Sequence, residues 1–307
     1  FIENSERENY LFNSTINGIE DSDFILLIGT NPRFEATIVN ARIRKSYLNN
    51  NTKIVSVNNV GDLTYPYKSL DGKTKTIKDI FEGNHSISNE IISSKKPMII
   101  IGESLLNNES ANYLFSLIKK FLMKNEKISE NWNSLNILST DAATVGNLDL
   151  DLINKNQDLI KDLYENKFEI LYLLGQDNLN FNKKNEFIIY QGSHGDKGAE
   201  IADVILPAAA YTEQSGHYTN LEGKVQKSYK ASYPPGKSKE DWEIVNNLAE
   251  FMNNRKLFND KDELESSMFN YLKLKKENEN KFKESLIEVK FADQNLNVDF
   301  KEYYFSN

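Results

Sequence analysis

Six short apolar runs divide the first 190 residues: Phe24–Ile28, Lys53–Val57, Met98–Ile101, Leu135–Leu138, Ile170–Leu174 and Phe187–Tyr190, each followed by small or polar residues. Most are apolar at both alternating positions, the pattern of a strand covered by helices on each face of a parallel sheet. Between them, Phe34–Leu48, Glu103–Lys124 and Leu150–Asn166 carry apolar residues at helical spacing. Alternating strand and helix predicts α/β layers joined by right-handed crossovers. A chain of 307 residues, at roughly 100–200 residues per domain, makes two such lobes or one large α/β unit, two lobes being the preferred reading.

Composition narrows the chemistry. The chain has no cysteine, which removes disulfides and thiolate ligation of iron–sulfur clusters or molybdenum. Its net charge of −8 leaves no basic stripe for nucleic acid. No run approaches the ~18 apolar residues of a membrane span, so membrane association is expected only through other proteins. Phe1 is not an initiator residue, and the first twenty residues show no signal or transit pattern; the expectation is processing or unrecorded upstream sequence. Heavy use of Asn, Lys and Ile fits either an AT-rich genome, such as a mitochondrial one, or simply a polar surface.

Gly29, Gly102 and Gly175 each follow a strand, where open α/β sheets bind ligands, and three such edges facing one crevice are expected. Asn31-Pro32 then opens a helix. The turns at Gly29–Asn31 and Gly102–Ser104 offer backbone N–H groups suited to phosphate, but neither is a full G-x-G-x-x-G, so retained fold geometry is the expectation. Gly192–Gly198 reads as a polar loop in which His194 and Asp196 bond to each other or to backbone. His85, His194 and His217 lack the helical pairing of a metal site. Arg33, Arg42 and Arg44 are expected to cluster with Glu35, and because Arg42 and Arg44 lie two apart on a helix, at least one of them is expected to face a partner or the other lobe. From about Asn253 the chain becomes densely charged. Residues 253–307 are read as an extension, a surface helix and an extended tail, that docks on a neighbouring subunit, with 1–252 as the α/β region.

Two segments carry a family resemblance. Gln191–Gln226 fits A-D-V-x-L-P…E-x-x-G…N-x-E-G-x-x-Q through Ala202, Asp203, Val204, Leu206, Pro207, Glu213, Gly216, Asn220, Glu222, Gly223 and Gln226, a pattern of the molybdopterin oxidoreductases. Phe24–Lys45, with G-T-N-P-R-x-E…N-A-R-I-R-K, resembles more narrowly the large iron–sulfur subunit of NADH:quinone oxidoreductase, respiratory complex I. Gly61–Tyr65 and Lys95–Gly102 share that look, and the resemblance runs from Tyr10 to Met252.

The resemblance implies two Rossmann-like lobes, like the central domains of formate dehydrogenase, with parallel sheets flanked by helices. It implies a non-catalytic part of the peripheral arm, supporting electron transfer from NADH to ubiquinone coupled to proton pumping. Gly29, Asn31, Pro32, Asp203, Pro207, Glu213, Gly216, Asn220, Glu222 and Gly223 would then be a vestigial cofactor motif, with no catalytic residue, metal or cofactor in this chain. Glu213 and Glu222 are expected to accept backbone hydrogen bonds, while Pro207, Gly216 and Gly223 fix backbone shape. Iron–sulfur clusters would sit on an amino-terminal region or partner chain, and the expected neighbours are that portion and the flavin-bearing NADH-binding subunit. The expected location is the matrix side of the mitochondrial inner membrane, or the cytoplasmic face of a bacterial membrane. The rival readings are a catalytic molybdopterin oxidoreductase fragment and a free-standing nucleotide-binding module.

Overall fold

The computed structural model describes residues 6–152, 159–177, 182–195, 197–278 and 291–298. The chain divides into two compact units, one from Phe1–Asp149, Thr219–Val225 and Lys275–Asn307, the other from Leu150–Tyr218 and Gln226–Leu274.

The first unit is built on β1 (Phe24–Ile28), β2 (Lys53–Val57), β3 (Lys68–Ser69), β4 (Pro97–Gly102) and β5 (Leu135–Leu138). They form one parallel sheet in the order β3-β2-β1-β4-β5. Strands are therefore added in both directions from β1, and crossovers of one hand then place helices on both faces. Between the strands lie α1 (Pro32–Glu35), α2 (Thr37–Asn50), α3 (Thr74–Phe81), α4 (Ser86–Ser93), α5 (Glu103–Leu106) and α6 (Ala111–Lys124), and α7 (Thr144–Asp149) follows β5.

The alternation of each strand sorts its side chains between two cores. Phe24, Leu26, Ile28, Ile99 and Ile101 pack with Ile77 and Ile80 of α3, Ile87 and Ile91 of α4, and Leu114 and Ile118 of α6. Ile25, Leu27, Met98 and Ile100 pack with Val39 and Ile43 of α2, and with Phe12, Ile19 and Leu63. Every residue of β1 and β4 is buried, at roughly 1.5–3 kcal/mol per large apolar side chain. Residues 291–298 lie on the first of these cores. Leu296 is buried, Thr74 N–H donates to the Gln294 carbonyl (2.9 Å), and the Thr74 and Ser110 hydroxyls each donate to the Ala292 carbonyl (2.9 Å).

The second unit opens with α8 (Leu159–Tyr164) and carries β6 (Ile170–Leu174), β7 (Phe187–Gly192), α9 (Lys197–Ile201) and β8 (Val204–Pro207), the strands parallel in the order β6-β7-β8. Leu173, Ile188 and Tyr190 pack with Ala199, Ile201 and Ala202 on one face. Ile170, Leu174, Phe187 and Val204, of the other alternation, stay exposed. Helices on both faces thus hold for the first sheet, whereas the strands of the second are all added in one direction. A two-stranded ribbon follows, β9 (Gly216–Thr219) with β10 (Val225–Ser228), then α10 (Asp241–Asn253) and α11 (Lys261–Asn278).

The six expected strands are all present, and the helices depart from expectation in detail. Phe34–Leu48 splits at Ala36, where φ is −154°. Glu103–Lys124 breaks at Asn107–Ser110, because Asn108 Oδ1 accepts from Ser110 N–H (2.9 Å) and diverts the backbone from the helix. Of Leu150–Asn166, α8 is helical, and residues 153–158 lie outside the described residues.

Candidate functional site

At the carboxyl edge of the first sheet, the turns after β1 and β4 interlock. Gly29 has φ +63°, and a Cβ there would stand 2.7 Å from the Leu105 nitrogen. A Cβ on Gly102 would stand 2.5 Å from the Gly29 carbonyl oxygen and 2.5 Å from Thr30 Cβ. The two glycines let these backbones touch, and the contact is closed by Ser104 N–H donating to the Gly29 carbonyl (3.2 Å). Asn31 caps α1, its Oδ1 accepting from Arg33 N–H (3.2 Å) while its Nδ2 donates to the Val60 carbonyl (2.9 Å). Pro32 takes the first helical position and is buried, where its fixed φ costs nothing and its missing N–H is not needed. Gly175 follows β6 and so belongs to the sheet of the second unit.

Part of the donor capacity at this edge is taken up by side chains of the chain itself, while the buried Ser104 hydroxyl has no hydrogen-bond partner among the described residues. A phosphate requires free donors, whereas Thr140 spends its N–H (2.8 Å) and its hydroxyl (2.6 Å) on Glu103 Oε1. The Thr30 hydroxyl likewise bonds Glu35. The small cavity remaining is lined by both glutamates together with Ser104, Asn107, Asn108 and Thr140, and by Asn295, Asn297 and Val298 of the returning segment.

The second signature is a fastening. Asn220 Oδ1 accepts from Glu222 N–H (3.1 Å) and Lys224 N–H (2.9 Å), shaping the tip between β9 and β10. Gly223 there has φ +77°. The tip, Thr219–Val225, belongs to the first unit and holds its amino-terminal segment. Glu222 Oε1 accepts from Ile16 N–H (2.6 Å) and the Leu221 carbonyl from Phe12 N–H (2.8 Å). The Gly223 carbonyl accepts from Arg7 Nη2 (2.6 Å). Arg7 also grips the buried Asp149 carboxylate through Nε (2.9 Å) and Nη2 (2.8 Å), and Tyr10 Oη donates to that carboxylate (2.8 Å).

In the second unit, Asp203 Oδ2 accepts from Lys183 (2.7 Å) and from Ile188 N–H (2.8 Å). The Lys183 hydrogen bond first, then the Ile188 amide, hold its carboxyl below the usual range. Pro207 ends β8, its carbonyl accepting from Lys239 N–H (3.2 Å). Glu213 Oε2 accepts from Ala210 N–H (3.0 Å), while Glu213 N–H returns a bond to the Ala210 carbonyl (2.8 Å). Glu213 and Glu222 are therefore backbone acceptors, as their setting suggested. Gly216 is the exception: its φ is not positive, and a Cβ would meet only the Tyr218 ring at 3.9 Å. No backbone constraint requires glycine there.

The histidines sit apart. His85 caps α4 by accepting from Ile87 N–H (3.2 Å), and His194 Nδ1 bonds the Ser193 hydroxyl (2.9 Å). His217 lies edge-on to Phe269. Asp196, paired with His194 on sequence grounds, is outside the described residues. The arginines also disperse: Arg33 binds Asp62 (2.7 Å), Arg42 binds Glu20, and Arg44 is exposed. Arg7, Asp149, Glu103 and Thr140 were missed in the sequence, since each is defined by a contact between distant segments and carries no local pattern.

A family model described as molybdopterin oxidoreductase matches residues 1–251. The NADH-ubiquinone oxidoreductase 75 kDa subunit of Reclinomonas americana is 43% identical over 252 residues, covering 81% of this chain and 36% of the relative. The mitochondrial NADH-ubiquinone oxidoreductase 78 kDa subunit of Candida albicans is 43% identical over 258 residues, 83% of this chain and 35% of the relative. The corresponding mitochondrial 78 kDa subunit of Neurospora crassa is 38% identical over 266 residues, 85% and 35% respectively. The chain spans about a third of the length of these curated relatives.

Proposed function

The chain belongs to the molybdopterin oxidoreductase family, and from that premise we propose that it is a non-catalytic structural part of the peripheral arm of respiratory complex I. In this reading it supports electron transfer from NADH to ubiquinone without carrying electrons. Its neighbours are the iron–sulfur portion of the same subunit and the flavin-bearing NADH-binding subunit. It reaches the membrane only through the complex, on the matrix side of a mitochondrial inner membrane.

The observation that carries the reading is the use made of the family signature. At the sheet edge the glycine turns close on each other and Glu103 takes the donors of Thr140, while Glu222 and Gly223, on a tip shaped by Asn220, hold the amino-terminal segment. Relatives named as NADH-ubiquinone oxidoreductase subunits agree with this assignment. The residues thus serve shape rather than a cofactor, and the chain's part in turnover is assembly. Native electrophoresis of membranes, probed with an antibody to this chain, tests it. Co-migration with the NADH dehydrogenase activity band is expected; a chain running apart from that band, with activity intact in its absence, would refute it.

A further inference from the structure

The two sheets differ in one respect that sequence patterning hides. In the first, strands are added on both sides of β1 and each residue of β1 is buried. In the second, β6, β7 and β8 are added one way, and connections of a single hand then all fall on one face. The contacts agree. Ala199, Ile201 and Ala202 of the β7–β8 connection pack on Leu173, Ile188 and Tyr190. Asp177, just after β6, accepts from Tyr190 Oη (3.0 Å) and from Gly198 N–H (3.0 Å) on that same side.

The register places Ile170, Tyr172 and Leu174 of β6 beside Phe187, Ile189 and Gln191 of β7, with Val204 and Leu206 of β8 next in line. At the carboxyl end this face is closed where Gln191 Nε2 donates to Asp241 of α10 (2.7 Å). Ile189 and Leu206 on this face are half-buried, and its flank on β6 and the start of β7 is exposed: Ile170 by 63%, Leu174 by 56% and Phe187 by 46%. A contiguous apolar sheet face of this kind marks an interaction site, and parallel sheets are covered on both faces by helices.

We propose that this face is the docking surface for an α-helical layer supplied by the part of the subunit that this chain does not span. The relatives carry about two-thirds of their length beyond the matched region. In a doubly wound sheet, the missing cover comes from helices of strands added in the opposite direction, beyond β6. The occupant is therefore an amphipathic helix presenting apolar residues at i, i+3, i+4 and i+7 to the Ile170–Leu174 and Phe187 side chains. The proposal rests on the complex I reading above.

Because the chain has no cysteine, a single Leu174→Cys or Phe187→Cys makes a unique thiol at an exposed position. Maleimide labelling of each variant is compared in the full chain alone and in the gently solubilised native complex. A benzophenone-maleimide on the same thiol then captures the neighbour for peptide sequencing. Labelling in the complex is expected to fall by about tenfold or more and to recover on denaturation. Cross-linked peptides should come from the polypeptide matching the relatives' remaining length, at helical spacing. Labelling as fast in the complex as in the chain alone would overturn the proposal, as would cross-links to a second copy of this chain. A chain absent from the complex would instead refute the functional reading beneath it, before any labelling is compared.

Discussion

Replacing Gly223 by alanine tests the fastening directly. The residue sits at φ +77°, which costs an L-residue about 1–2 kcal/mol. The new Cβ would also stand 2.7 Å from Arg7 Nη2. Arg7 cannot simply swing away, because its guanidinium holds Asp149 through two bonds of 2.9 and 2.8 Å. Displacing it weakens hydrogen bonds to a charged group, about 1.5–3 kcal/mol, and the expected total is about 3–5 kcal/mol. The chain has two tryptophans, of which Trp132 packs on the core of the first unit. In a Trp242→Phe background, urea denaturation followed by fluorescence therefore reports that unit alone. The second arm repeats Gly223→Ala on top of Arg7→Ala: with the clash partner gone, the cost should fall to the backbone part, about 1–2 kcal/mol. A coupling of at least about 1.5 kcal/mol is expected. A Gly223→Ala cost below about 0.5 kcal/mol, or costs that add within that margin, would refute the argument.

Gly102→Ala brings a Cβ to 2.5 Å from the Gly29 carbonyl and should destabilise the first unit by about 2–3 kcal/mol, read by the same fluorescence; an unchanged urea midpoint would mean the turns do not interlock. The depressed carboxyl of Asp203 stabilises the fold above its unfolded value of about 3.9, and this is lost as pH falls through the lower folded value. The wild-type urea midpoint should thus drop more steeply below about pH 4 than that of Asp203→Asn, and parallel curves would contradict this. Glu213→Gln keeps an acceptor for Ala210 N–H, so NADH:ubiquinone turnover of the assembled complex should be within about twofold of wild type; a large loss in a complex that assembles normally would reveal chemistry at Glu213.

The strands were readable because a buried strand needs little beyond a short apolar run, and β1, β4 and β5 are such runs. β8 escaped the pattern because four residues ending in Pro207 offer too short a period. The exposed flank of the second sheet was also hidden. An apolar run reads the same whether its cover comes from its own chain or from another, and only topology separates Ile170 from Ile25. At the candidate site the signature located the residues, and their individual bonds came from structure. Glu213 and Glu222 could be assigned as backbone acceptors from their turn setting, whereas the Arg7–Asp149 grip joins residues 142 positions apart. Gly216 shows the limit of reading glycine as conformational need, since its backbone would accept a side chain.

The first unit is assembled from three stretches separated along the chain, and that fixes an order of events during synthesis. Its central sheet can pair once Leu138 has left the ribosome, yet the clasp on Phe12 and Ile16 waits for Leu221 and Glu222, and the strap over Thr74 waits for Gln294 and Leu296. The sheet of the second unit, drawn from residues 170–207, is complete before either closure. Long-range closures of this kind are slow, so the nascent chain passes through an interval in which a nearly finished sheet is open at its rim. That interval is when chaperones and proteases would meet it, and a truncation near residue 218 would prolong it indefinitely while leaving every strand of both parallel sheets in place.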